Sequence, residues 1–399
     1  MSDWKETTLG QLVTFQRGHD LSQTQFKEGI YPIVGSNGII GYHNEFTTKK
    51  NGITIGRSGN IGSPSYIDKD FWAHNTTLYV KEFHNSHPKF IYYLLKTLDF
   101  QSFNSGSAVP SLNRNYIHPY PLNAPDYDEQ VKIADVLSSL DRKIENLCQQ
   151  NETLERIAQT LFKHWFVDFE FPNEDGKPYK SSGEEMERSE LGETPAGWRI
   201  GKLGEFCNVK HGYAFKGESI TTEETDQVLL TPGNFKIGGG FNSSKYKYYS
   251  DDDYDEEYIL IPGDLIITMT DLSKEGDTLG YPAFVPKYSK NVFLHNQRLG
   301  KVVNSQIDPF FLFFLLCRRE YRSHILGTAS GSTVRHTSPS RILDYGFAVP
   351  GRELLDRFSL IASNLICKSF SNHEQIQTLT KIRDVLLPKL MSGKLRIKD

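Results

Sequence analysis

From Ile133 onward an apolar residue returns at every seventh position: Ile133, Leu140, Leu147, Leu154 and Leu161. A second row falls four residues after each of these, at Leu137, Ile144, Asn151, Ala158 and Trp165. Such a spacing belongs to a helix that pairs along its whole length, and the one central polar residue, Asn151, is of the kind that fixes register. A helix from Asp128 to Phe166 rises roughly 58 Å. Near the other end of the chain, Phe358, Leu365, Asn372, Leu379 and Leu386 form a comparable row. Two long seams in one chain are expected to pack on each other. Two separate amphipathic helices, each lying on its own globule, are the other arrangement the spacing allows. With Asn151 in the seam, leucine at that position is expected to keep or raise stability while loosening register.

The seam occurs twice because much of the chain occurs twice. Trp4, Leu9-Gly10 and Gly18 return 194 residues later as Trp198, Leu203-Gly204 and Gly212. His74-Asn75 returns at an offset of 221 as His295-Asn296. SGSAVPSLNRNYI (105–117) returns at 225 as SGSTVRHTSPSRIL (330–343), and TLERIAQTLFK (153–163) returns at 225 as TLTKIRDVLLPK (378–389). The order is kept and the offset only grows, which describes a duplication whose second copy is longer by the difference between 194 and 225. The acidic stretch YSDDDYDEEY (249–258) is a natural part of that excess.

Each copy starts with short strand-like runs between Gly, Asn and Pro: YPIV, GITIG and TLYV, then VLLTP, LIITM and GKVV. An apolar helix follows (FIYYLLKTL; FFLFFLLC), then the Gly-Ser loop, a proline-bearing extended segment and the long helix. The expected fold class is therefore α+β, with two mixed α/β domains at 1–125 and 196–350. Two long antiparallel coiled-coil helices, 126–167 and 351–399, join them, with an acidic linker at 168–195 and a pseudo-twofold internal repeat. In that arrangement the globules sit tens of ångströms apart and face one surface in opposite senses. B-DNA repeats every ~34–36 Å, so the arms would act as a ruler between inverted half-sites.

The net charge of −4 does not describe a generic nucleic-acid binder, and its distribution matters more. Residues 124–200 carry 17 acidic and 9 basic side chains, so any DNA contact must use local patches elsewhere. No run of 18 apolar residues is present, and the start, MSDWKETTLG, lacks the basic and apolar regions of a signal peptide. Four scattered cysteines (Cys148, Cys207, Cys317, Cys367) form no C-x2-C pair, so no zinc site is expected. The simple expectation is a cytoplasmic protein with reduced thiols and no membrane contact. Catalytic signatures are missing as well. There is no Gly-Lys-Ser/Thr phosphate loop and no G-x-S-x-G elbow, and Asn123-Ala-Pro-Asp-Tyr only superficially resembles a methyltransferase tetrapeptide.

With Trp-x4-Leu-Gly at each start, GSNGIIGYHN, IGRSGNIGS, the paired Gly-Ser loops, DEQVKIADVLSSLDRKIE and AQTLFKHWFVDFEFP, the sequence resembles the specificity subunit of type I restriction-modification systems. The resemblance covers nearly the whole chain, and the last two segments are its most specific part. It implies two target-recognition domains, each reading one half of a split site in double-stranded DNA. It also implies spacer helices that dock two modification (methyltransferase) subunits, and restriction (translocase/endonuclease) subunits that join to cleave. The chain itself would be non-catalytic and bind no cofactor, S-adenosylmethionine being held by the methyltransferase partner. A coiled-coil protein–protein scaffold that does not bind DNA is the alternative.

If the halves read different sequences, what they share is scaffold and what differs is readout. His74-Asn75 and His295-Asn296 then belong to the scaffold, as do the Gly-Ser glycines, while Ser107 or Ser332 would bind phosphate. The candidate readers in the first half are Ser36, Asn37, Tyr42, His43, Asn44, Arg57, Ser58, Asn60, Asn113, Arg114 and Asn115. Those in the second half are Asn234, Lys236, Thr270, Asp271, Lys274, Arg335, His336 and Arg341. Asn pairs with adenine and Arg with guanine at two points each. For coiled-coil contacts and partner docking the candidates are Leu140, Ile144, Leu147, Asn151, Leu154, Leu161, Trp165, Phe166, Leu379 and Leu386. The aromatic phrase FKHWFVDFEFP reads either as a docking surface or as a cap on the helix end.

Overall fold

The computed structural model describes residues 4–103, 111–287 and 291–397. The chain divides into two compact units, Met1–Asn146 with Ile376–Asp399, and Leu147–Gln375. Ser107 lies outside the described residues.

In the first unit four antiparallel strands run in the order Thr14–Arg17, Thr77–Glu82, Gly52–Gly56, Pro64–Ile67. Beside them Gly38–His43 pairs with Tyr31–Gly35, which in turn pairs in parallel with Trp72–Ala73. Lys5–Thr8 closes the unit against Pro121–Ala124. The second unit repeats this connectivity. Its four-stranded sheet runs Asn208–His211, Leu299–Val303, Leu265–Thr268, Pro282–Phe284, again antiparallel throughout. Its parallel pair is Gln227–Leu230 with Val292–His295, now inside a five-stranded sheet, and its closing pair is Arg199–Lys202 with Gly346–Val349. Even the register recurs. Lys5 faces Ala124, and Arg199, 194 later, faces Val349, 225 later.

The recurring glycines have one steric reason. A Cβ on Gly18 would stand 2.1 Å from the His74 carbonyl oxygen, and one on Gly212 would stand 2.3 Å from that of His295. No side chain survives that approach, so the Gly and His motifs travel together. His295 is 1% exposed, its Nε2 meets the Leu299 carbonyl at 3.0 Å, and Asn296 takes the Arg298 N–H. His74 is half-buried between the Thr76 hydroxyl and the Leu21 carbonyl.

Burial lowers the pKa of His295 to about 4, so the folded ring stays neutral where the unfolded one, near 6.5, takes a proton. Its contribution to stability is therefore complete above pH 6.5 and falls as the pH drops toward 4. Urea unfolding at pH 7 and pH 5 is expected to differ by about 1–2 kcal/mol from this residue. In His295→Gln that share of the pH dependence disappears. An unchanged pH dependence would show that the ring is not titrating.

Two apolar helices, Pro88–Lys96 and Pro309–Leu316, both open with proline in the first turn, where its missing N–H costs nothing. They bury Phe90, Ile91 and Leu94 in one unit and Phe311, Leu312 and Phe314 in the other, each side chain contributing about 1.5–3 kcal/mol. Their cores continue into two 40-residue helices, Tyr127–Phe166 and Arg352–Met391. In the first unit Ile133, Ala134 and Leu137 share a cluster with Leu390 and Met391. Arg396 pairs with Glu129 at 3.0 Å and Arg383 with Asp141 at 2.9 Å, so the two helical segments run antiparallel.

In the second unit Asn151 and Asn372 are both buried, and the Asn372 amide donates to Asn151 Oδ1 at 2.9 Å. The seam positions Leu140, Ile144, Leu154, Leu161, Leu379 and Leu386 are half-buried, and Leu147 is buried. The docking role for Trp165 and Phe166 needs correction. Both are buried within the core of the second unit, with Phe166 4.9 Å from Phe311 and 5.1 Å from Phe358 between ring centres. Phe171 is buried in the same cluster and stacks on Trp198 at 5.5 Å. The aromatic phrase is a helix cap, because rings of this size find more contact inside than they leave outside. No helix among the described residues is long and apolar enough to cross a membrane.

Candidate nucleic-acid interface

The residues that follow each Gly-Ser phrase dock at the same place in both units. In the first unit the strand Gly52–Gly56 runs on into Arg57 and Ser58, whose N–H groups donate to the Thr76 carbonyl. Ser58 then bridges to Ser111, directly after the Gly-Ser loop, and Leu112 N–H donates to the Arg57 carbonyl at 2.8 Å. In the second unit Thr270 pairs with His336, and Thr337 N–H donates to the Met269 carbonyl at 3.0 Å. Thr270 lies 212 residues beyond Ser58 and His336 225 beyond Ser111, so one bridge has been drawn twice. The second loop folds back through paired hydrogen bonds between Ser330 and His336. Gly331, at φ +91°, makes this hairpin, since a Cβ there would lie 2.0 Å from the Val334 carbonyl oxygen. Just beyond each bridge a polar residue caps a short helix: Asn113 accepts from Asn115 N–H, and Ser338 from Arg341 N–H.

Around the first bridge an open cleft is lined by Gln16, Arg17, His19, Asp20, Arg57, Lys81, Asn113 and Arg114. Four cations face one carboxylate there, which makes it a positive patch on a chain that is negative overall. Arg17 pairs with Asp20 at 2.8 Å, Asn75 donates to the same carboxylate, and Arg57 reaches the Asn75 carbonyl at 3.4 Å. The Asn75 bond, with Arg17 beside it, holds the Asp20 carboxyl below its usual pKa. Arg114 donates to the Phe15 carbonyl at 3.3 Å and is otherwise exposed. Ser36, whose N–H bonds the Thr76 hydroxyl, brings the hairpin tip Ser36–Asn37 to Gly59. Tyr42 and Asn44 are exposed at the far end of that hairpin's second strand.

The second bridge gathers Lys274, Arg335, His336 and Arg341. Arg335 Nε donates to the Lys274 carbonyl at 2.9 Å, and Arg341 reaches Ser330 Oγ at 3.2 Å. Ser332 is exposed on the intervening loop. None of the first cleft's cations has a charged counterpart here. Arg57 is replaced by Met269 and Arg114 by Pro339, each at the equivalent bonded position.

Four candidate readers are corrected. His43 is buried, its ring accepting from Lys27 N–H and resting on Trp72. Asn234 is fully buried; its Oδ1 takes the Thr231 N–H and its amide donates to the Asn242 and Lys245 carbonyls. Thr270 is buried and its hydroxyl lies 3.1 Å from His336 Nδ1. Asp271 is buried with its carboxylate occupied by Ser273 N–H, Thr278 N–H and the Thr278 hydroxyl. Burial alone would raise that carboxyl's pKa, and these bonds outweigh it and hold it low. All four spend their polar atoms on their own fold. Lys236 is exposed, but it lines an apolar cavity with Leu154, Phe241, Phe370 and His373 and not the Gly-Ser site. Arg17 and Lys81 escaped the sequence reading. The one signal for Arg17 was that position 17 precedes the recurrent Gly18 yet differs from its counterpart, His211.

Residues 1–156 match a family model described as the type I restriction modification DNA specificity domain. The chain is 30% identical over 322 residues to the type I restriction enzyme MjaIX specificity subunit of Methanocaldococcus jannaschii, covering 78% of this chain and 70% of that one. It is 26% identical over 364 residues to the HindI specificity subunit of Haemophilus influenzae, covering 77% of each. The crystal structure of the type I S subunit from M. genitalium shares the fold, with a TM-score of 0.64 at 19% identity across 98% of this chain and 96% of that one. The chain belongs to the family of type I restriction-modification specificity subunits.

Proposed function

We propose that this chain reads a bipartite DNA site, each unit engaging one half through the patch at its Gly-Ser bridge. The observation that carries the reading is the doubled bridge: the same backbone bridge has Arg57, Asn113 and Arg114 beside it in one unit and Lys274, Arg335 and Arg341 beside it in the other. A shared scaffold with different side chains is what two readers of unlike half-sites require. The two 40-residue helices act as the spacer, a coiled coil whose pseudo-twofold symmetry sets the gap between half-sites. Two methyltransferase subunits dock on this frame and supply the methylation chemistry with their own S-adenosylmethionine. Restriction subunits join to cleave, and this chain catalyses nothing itself. The natural compartment is the cytoplasm, where the host DNA lies.

The test is duplex binding by the chain assembled with its methyltransferase. Two short half-sites, each intolerant of substitution, flanking a gap of fixed length and free sequence support the reading. Assembly without sequence-dependent binding would leave a protein scaffold.

A further inference from the structure

The two units differ most informatively in the loop that leaves the bridge. In both, a glycine at φ near +80° closes that loop: Gly62 donates to the Gly56 carbonyl at 2.9 Å and Gly280 to the Thr268 carbonyl at 2.8 Å. From Ser58 to Gly62 is four steps, whereas from Thr270 to Gly280 is ten, so the second unit carries six extra residues at this point. The insertion holds Leu272, which is 68% exposed. Its neighbours are not floppy. The Asp271 carboxylate ties both limbs of the loop through Ser273 and Thr278, and Arg322 donates to the Gly276 and Leu279 carbonyls from below. Lys274 follows two residues on, with its carbonyl held by Arg335. Glu275 and Asp277 stand exposed on the same loop.

An exposed leucine by itself is ordinary. One braced on a rigid turn, with Lys274 and Arg335 beside it and present in only one of two duplicated readers, is placed as an apolar wedge for a base step. We propose that Leu272 inserts between neighbouring base pairs of the second half-site and unstacks one step, while the short loop of the first unit, with Asn60 at its tip, inserts nothing. This inference rests on the DNA-reading function proposed above. The flanking Lys274 and Arg335 would hold the phosphates on either side, and the unstacked step would favour flexible pyrimidine–purine sequence there.

The test uses the full chain assembled with its methyltransferase and a duplex bearing the mapped site, with 2-aminopurine placed in turn at each position. Binding is expected to raise fluorescence several-fold at one step of the second half-site. Leu272→Ala abolishes that rise and weakens binding about tenfold, whereas Leu272→Met retains both. Any rise at the target base itself, which the methyltransferase extrudes, should persist in every variant. A second-half-site rise away from the target base that survives Leu272→Ala, or no such rise at all with specific binding intact, overturns the wedge alone. Loss of sequence-specific binding by the unaltered assembly overturns the reading function beneath it. Because Leu272 is exposed, an unchanged melting temperature is expected and shows that the variants are folded.

Discussion

Leucine at Asn151 alone is expected to destabilise the second unit by about 1–3 kcal/mol. The sequence by itself suggests the opposite, because a lone polar residue in a heptad seam normally costs stability in exchange for register. The structure supplies the reason for the reversal. Asn151 is not alone, since the fully buried amide of Asn372 donates to it at 2.9 Å. The Asn151 amide in turn lies 3.0 Å from His373 Nδ1. Burial lowers the His373 pKa, and the same Nδ1 also lies 3.0 Å from the Ser369 carbonyl. Removing Asn151 leaves the Asn372 amide with only a distant Gln150 contact at 3.4 Å, inside an apolar seam. The paired variant Asn151→Leu with Asn372→Leu is expected to recover the loss or exceed wild type, with looser register. Thermal unfolding of the wild type and the two variants decides the matter. A single variant as stable as wild type would mean the two amides are not coupled.

Replacing Arg57 and Arg114 together is expected to reduce recognition of the first half-site by at least about 30-fold, taking ~1–3 kcal/mol for each base contact. Assembly with the methyltransferase and recognition of the second half-site should be unaffected, since both arginines lie in the first unit's cleft. Lys81 gives the contrast. It lines the same cleft, and as a phosphate contact its loss in Lys81→Ala is expected to weaken binding to all sequences alike and flatten the salt dependence by about one charge. Methylation rates on duplexes with single substitutions in each half-site measure all three. An unchanged rate on the native site after losing both arginines would remove them from the interface.

How much of this was legible beforehand follows from what each signal depends on. The long helices could be read because little besides a long, paired helix repeats apolar residues every seven positions from Ile133 to Leu161, and both helix ends keep the 225 offset of the sequence repeat. The glycine and histidine matches were legible as scaffold, and the carbonyl approach at Gly18 and Gly212 says why. Polar residues in loops were less transparent. Asn234 and Asp271 look, as letters, like Asn113 and Lys274, but their side chains satisfy their own backbones, as short polar side chains often do. Arg17 was hidden because one strand residue carries no pattern of its own. The aromatic phrase was ambiguous because a buried cluster and a docking patch have the same composition, and only Phe311 and Phe358, far along the chain, resolve it.

The most direct test of the central claim is a base-resolved methylation map of a methylation-free host carrying this chain and its methyltransferase. Two short half-sites separated by a fixed run of unspecified bases are predicted. Exchanging residues 1–125 for the corresponding segment of another specificity subunit should then rewrite one half-site and leave the other half and the gap untouched. A continuous short motif, or a methylation pattern that is the same without this chain, would contradict the two-reader account.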